Sequence, residues 1–248
     1  MASDVGIDEQ YLASNCYPTQ ETLNSVSNWT KDNLMKMNES KCKYMIFSRS
    51  KSKFATRLRI NDINLEKVPA MKLLGVWVSE DMTWSRNCQE ICIKAYSRLS
   101  MLTKLKYVGV KIEDLIDIYI LYIRSVAEYC SVAFHSSLTQ SDTIKLERIQ
   151  KTCLKVILGD MFVDYSSALE MCGLESLNSR REKRCLKFSL KAMKHTKNNR
   201  LFPINTRIHG QSQIAKEHVQ VNWARTDTYR ISAIPFCQRL LNQHFRDK

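Results

Sequence analysis

The hydrophobic pattern of this chain changes its period near Trp84, and that change limits the folds open to it. Before Trp84 the apolar residues come in short runs separated by turn-prone pairs; after it they recur every three or four residues over long stretches. Short or alternating runs fit strands, whereas a 3.6-residue recurrence fits amphipathic helices. Leu23, Val26, Trp29, Leu34 and Met37 predict a first helix from Thr19 to about Met37, with Thr19 or Thr22 as its cap. Cys42–Phe47 reads as a strand, Ser48–Thr56 as a basic turn region, and Leu58 with Ile60 as a short strand. Asn61-Asp62 then reads as a turn and Ile63–Val68 as the return, while Met71–Val78, apolar almost throughout, predicts a central strand.

Beyond Trp84, helices are expected over 86–106, 112–135, 141–158, 163–171, 177–195 and 233–243. Ser141-Asp142 suits a cap, and Gly109, Gly159 and Gly173 suit stops. The expected class is α+β, mostly α: a small antiparallel sheet with one helix, followed by a helical bundle. The expected division is a frayed lead-in at 1–18, a sheet-bearing region at 19–85, a helical bundle at 86–160 and a basic helical region at 161–248.

Composition agrees with this class. Six glycines and four prolines in 248 residues favour long helices over a turn-rich sandwich. The net charge of +13 favours a polyanionic partner, because cations that displace counterions from phosphates gain affinity without sequence contacts. A solubilising surface is the alternative use of that charge. Nine cysteines include no C-x-x-C pair, which argues against a zinc knuckle and for small buried hydrophobes in a reducing compartment. Asp4, Asp8 and Glu9 do not suit a secretory signal, and Asp117, Arg124 and Glu128 interrupt the greasiest stretch before it could span a membrane. An intracellular protein, nuclear or cytoplasmic, is expected.

Several short blocks follow one another in fixed order. Trp29, Asn33, Met37-Asn38, Lys41 and Met45 come first, then Lys72-Leu73-Leu74-Gly75-Val76 and Asp81-Met82-Thr83-Trp84. Lys94-Ala95, Arg98-Leu99, Ile123-Arg124-Ser125, Glu128-Tyr129-Cys130, Leu146-Glu147-Arg148-Ile149-Gln150, Cys172-Gly173-Leu174 and Arg180-Arg181 continue the series. Arg225-Thr226, Arg230 and Leu240-Leu241-Asn242 close it. In order and spacing they resemble the end of the palm, the thumb and the trailing helices of a non-LTR (LINE-type) retrotransposon reverse transcriptase, over roughly residues 21–243.

The resemblance implies that Lys41 helps protonate the pyrophosphate leaving group. It also implies that Leu74 and Gly75 belong to a primer grip, where a residue without Cβ lets backbone approach the primer terminus. The alternative readings are an exposed lysine at a turn, a β-bulge at Gly75 and a core anchor at Trp84. One departure bears on activity. The family holds two magnesium ions with aspartates that include an aromatic-x-Asp-Asp motif, and this chain contains no Asp-Asp pair. The expectation is therefore a C-terminal fragment with no cofactor of its own and no polymerase activity alone. Its expected partner is an RNA/DNA hybrid or another nucleic acid, and a palm-and-fingers segment is implied elsewhere.

The helix at 177–195 gives an argument independent of family. Arg180, Arg184, Lys187, Lys191 and Lys194 are spaced four, three, four and three apart, within about 80° of one face. They predict a cationic ridge roughly 20 Å long, with Cys185, Leu186, Phe188, Leu190, Ala192 and Met193 packed on the other side. A Cys185–His195 nucleophile pair carries no recognised spacing. A non-enzymatic basic domain, binding nucleic acid or protein, is the competing reading of the whole chain.

Overall fold

The computed structural model describes residues 17–47, 57–204, 219–221 and 223–247. The basic turn region and nearly all of the lead-in lie outside them. The chain divides into two compact units, Met1–Met82 and Thr83–Lys248.

In the first unit, helix α1 (Tyr17–Asp32) precedes a 3₁₀ turn at Glu39–Lys41 and six very short strands. These are β1 (Lys43–Tyr44), β2 (Arg59–Ile60), β3 (Ile63–Asn64), β4 (Glu66–Lys67), β5 (Ala70–Leu73) and β6 (Val76–Ser79). The class is the expected α+β, mostly α, yet the strands do not join into one sheet. They form three separate two-stranded ladders, of which β1–β4 is parallel and the other two antiparallel. Most are two residues long, too few to present a continuous apolar face to a neighbour.

The expected central strand at 71–78 is instead a hairpin. Leu73 pairs with Val76, and Leu74 and Gly75 between them take φ of 46° and 89°. Two positive φ values in a two-residue loop make a type I′ turn, whose twist matches that of the flanking strands. Asn61 and Asp62 do the same between β2 and β3. Those residues tolerate the left-handed region; Leu74 does not, and an L side chain there costs about 1–2 kcal/mol. The Gln20 side chain, donating to Arg59 O at 2.8 Å and accepting from Arg59 N at 2.9 Å, pins α1 to β2.

The second unit is helical. Its elements are α2 (Ser85–Tyr107), α3 (Ile112–Ile118), a π-helical segment (Tyr119–Arg124), α4 (Ser125–Glu128) and α5 (Ser131–Phe134). After them come α6 (Gln140–Leu158), α7 (Tyr165–Met171), α8 (Leu177–Met193), α9 (Asp227–Arg230) and α10 (Ala233–Arg246). The single helix expected over 112–135 is broken twice. The π-turn widens it, and Tyr129-Cys130 ends it with an extended residue and a φ of +54°. Arg98 holds the widened turn, donating to Tyr122 O while its guanidinium lies 4.3 Å from the Tyr122 ring centroid.

Most of the core lies between α2, α3 and α6, where Ile91, Ala95, Leu102, Leu115, Ile123, Leu146 and Leu154 are buried. Trp84 anchors that core, its ring 6.0 Å from Phe134. The α6 cap is Thr139, just before the expected Ser141-Asp142. Its hydroxyl accepts from Asp142 N, and the buried Asp142 carboxylate accepts from Ser85 Oγ at 2.8 Å, tying α6 to the start of α2. A second cluster unites α8 and α10 through Cys185, Ala192, Cys237 and Leu241.

Candidate nucleic-acid interface

Helix α8 carries the cationic ridge, and its first turn is fixed from three sides. Ser176 Oγ accepts from Ser179 N at 3.2 Å, a side-chain cap. The Glu147 carboxylate, brought by α6, accepts from Leu177 N at 2.9 Å and Asn178 N at 3.1 Å. A carboxylate at a helix N-terminus also opposes the positive end of the macrodipole. Gln150 Nε2 donates to Glu175 O at 2.9 Å and Gln150 Oε1 accepts from Tyr119 at 2.8 Å, so the turn before the helix is held as well.

Leu177, Arg181, Cys185, Ser189 and Ala192 form the buried stripe of α8. Leu186, Leu190 and Met193 flank it as expected. Phe188 does not pack and stands 45% exposed, because it falls between the buried stripe and the ridge.

The ridge divides into two halves of different chemistry. Lys187, Lys191 and Lys194 are exposed, and none forms an ion pair among the described residues. Lys197 and Arg200 continue the exposed charge past the helix end. Arg180 and Arg184, in contrast, converge on Glu128 at the end of α4. Arg180 Nε meets Glu128 Oε1, Arg180 Nη2 lies 3.2 Å from Oε2, and Arg184 Nη2 lies 2.9 Å from the same oxygen. Glu128 is 2% exposed, so a buried carboxylate draws these two arginines inward. Five equivalent cations are therefore not what the ridge offers. It presents three unpaired lysines and, at its N-terminal half, an arginine cluster with its own counter-charge.

Arg124 was not among the residues singled out by spacing, and it belongs to that cluster. It ends the π-segment, and its pKa is drawn below the ordinary arginine value by burial first and by Arg180 second. The signal for it was the pair of charges Arg124 and Glu128 inside an otherwise apolar stretch.

Behind the ridge is a polar pocket of the core. Arg181 is fully buried, and its Nε and Nη1, like Ser131 Oγ and His135 Nδ1, have no hydrogen-bond partner among the described residues. His135 packs edge-on against Phe236, with centroids 5.6 Å apart. Burial, and then the Arg181 charge, hold its pKa down at about 4. The folded state refuses a proton that the unfolded chain accepts near 6.5, so this contribution to stability is complete above pH 6.5 and declines as pH falls toward 4. Melting temperature should therefore drop across that window, and His135→Asn should flatten the drop. An unchanged slope in the variant would place the titration elsewhere.

Cys185 and His195 do not form a nucleophile pair. Burial pushes Cys88 and Cys153 up to about 12, leaving them protonated at neutral pH. Cys185 is buried against Cys237, with which it shares a hydrogen bond, and His195 lies exposed beyond the end of α8. Ten residues of helix separate the two by roughly 15 Å, so they form no nucleophile–base pair.

The remaining sequence-predicted residues are in the first unit. Lys41 ends the 3₁₀ turn, its backbone N–H held by the Asn38 side chain and its own side chain exposed, with no ion pair among the described residues. Leu74 and Gly75 form the hairpin tip, where Leu74 is 86% exposed. Among the described residues no group of three or more His, Cys, Asp or Glu is placed to hold a metal ion, and no helix is long and apolar enough to cross a membrane.

No protein-family model, curated protein or solved structure matches this chain.

Proposed function

We propose that this chain corresponds to the C-terminal part of a non-LTR retrotransposon reverse transcriptase, and that it grips the phosphate backbone of an RNA–DNA primer–template without making the phosphodiester bond. The observation that carries the reading is the row of unpaired, exposed lysines at 187, 191 and 194 on a helix whose start is pinned by Glu147, Ser176 and Gln150. Point charges on a rigid helix suit a repeating phosphate backbone and need no base contacts.

The Leu74-Gly75 tip is a second support. A leucine in the left-handed region, almost fully exposed, breaks a local rule without a packing gain, which is where functional residues are expected. It fits a tip that meets a primer. The magnesium of the family does not fit the donor set here, since no Asp-Asp pair and no metal-competent cluster among the described residues can hold it. Lys41 therefore has no metal-activated leaving group to protonate, and no catalytic step is assigned to it.

Fluorescence anisotropy with an RNA–DNA hybrid across a salt series tests this reading. The full chain should bind with a steep salt dependence, and Lys187→Ala/Lys191→Ala/Lys194→Ala should reduce the log–log slope by about 2–3. A folded chain that fails to bind at low salt, or a triple variant with an unchanged slope, would refute the proposed interface. A basic helical domain unrelated to a polymerase shares the ridge but has no use for the hairpin tip. Leu74→Asn, which suits the turn, should weaken primer-terminus binding only under the polymerase reading.

A further inference from the structure

We propose that Arg180 and Arg184, which converge on the buried Glu128 carboxylate, form with Arg124, four residues before Glu128 in the chain, a binding site for one phosphoryl group. The inference deepens the nucleic-acid reading and rests on it for the source of the phosphate, while the site itself can be tested with free phosphate.

Charge balance is the first argument. Two guanidiniums meet the Glu128 carboxylate, and Arg124, four residues before Glu128 in the chain, adds a third cation with no ion pair of its own among the described residues, which leaves two positive charges. Arg181, buried behind them, is not part of that surplus because Glu147 provides its strongest favourable charge.

Hydrogen bonding is the second. Both Glu128 oxygens are occupied, Oε1 by Arg180 Nε and Oε2 by Arg180 Nη2 and Arg184 Nη2. The Arg124 side chain donates no hydrogen bond among the described residues, although it is half-buried and senses Arg180, Glu128 and Arg184 electrostatically. A partly desolvated guanidinium beside two others is a costly arrangement in the absence of an anion, and an oxyanion between them relieves it.

Geometry is the third. Guanidinium forks match a tetrahedral phosphoryl group with paired N–H donors, which lysine point charges cannot do. Arg180 and Arg184 lie one turn apart on the pinned part of α8, and Arg124 ends a π-turn braced by Arg98. The backbone that carries the three guanidiniums is thus braced before any ligand arrives. The lysines of the ridge supply attraction along the backbone, and the arginine cluster supplies one fixed point of register.

Calorimetric titration of the full chain with inorganic phosphate, ionic strength held constant with chloride, tests the site. Wild type should bind saturably, Arg124→Ala should abolish binding, and Arg124→Lys, which keeps the charge but loses the fork, should weaken it about tenfold. Circular dichroism checks the fold, and Arg124→Lys remains readable if the alanine variant is unstable. Lys151→Ala, which removes one charge beside Asp164 and outside the cluster, should bind as wild type. No saturable heat up to about 10 mM phosphate, or Arg124→Lys indistinguishable from wild type, overturns the site. Hybrid binding that survives either result leaves the lysine interface standing. An oligonucleotide pair with 5′-phosphate and 5′-hydroxyl ends then separates the sources. A preference for the phosphorylated end assigns a terminal phosphomonoester. Equal affinities that both fall in Arg124→Lys assign a backbone phosphodiester.

Discussion

Glu128→Gln should lower the stability of the helical unit by about 2–3 kcal/mol and, in the same protein, tighten phosphate binding by about tenfold. The two effects have opposite signs because one carboxylate does two things. It is the buried counter-charge that lets Arg180 and Arg184 sit against α4, and it is also an anion that competes with any phosphate for their donors. Breaking a fully buried ion pair costs about 3–5 kcal/mol. Here the arginine side chains are 28% and 49% exposed, so water recovers part of that loss and the lower figure applies. Urea unfolding gives the first quantity and phosphate titration of the folded variant gives the second. If Glu128 were only a packing residue, both would fall together. A variant that keeps wild-type stability would instead mean that Arg180 and Arg184 reach solvent readily and that the carboxylate holds nothing in place.

How far the sequence disclosed this arrangement depends on the range of the interaction involved. Helices α6, α7, α8 and α10 were legible because their stripes are regular and their ends carry local signals. Gly159 and Gly173 take positive φ just past helix ends, and Ser232 and Ser176 sit at starts. The stretch 112–135 was misread as one helix because apolar spacing does not distinguish an α-turn from a π-turn. Cys130, which adopts the left-handed conformation at the break, is not a residue that usually marks one.

The apolar pattern hides the β5–β6 hairpin for a similar reason. Leu74 fills a turn position that Asn or Gly would normally signal, so the run read as a continuous strand. Only the resemblance to a primer grip, whose glycine sits on a hairpin, points to a turn at Gly75. At the ridge, helical spacing correctly placed five cations on one face. It could not show that Glu128, more than fifty residues earlier in sequence, would claim two of them. That pairing is tertiary, and its only local trace was a charged pair within an apolar segment.

Expressed separately, residues 83–248 should fold cooperatively and residues 1–82 should not. The described residues of the second unit bury a continuous core that runs from Cys88 and Ile91 on α2 through Leu115 and Ile123 to Leu154 and Leu177. In the first unit the buried apolar residues among those described are Leu58, Ile60, Val68 and Val76. Trp29, Leu34, Phe47 and Leu73 stand about half to fully exposed around them. Isolated two-stranded ladders are marginal in water, and these three are not joined to one another by ladder hydrogen bonds. Their unpaired edges and exposed apolar side chains favour association of the isolated piece with itself. Near-UV circular dichroism and a melt give the comparison. For 83–248 a structured aromatic spectrum and a melting temperature within about 5 °C of the full chain are expected. For 1–82 the expected result is dye-binding, concentration-dependent association and no cooperative transition. A sharp, concentration-independent melt of 1–82 would overturn this expectation and show that the first unit holds a sufficient core of its own.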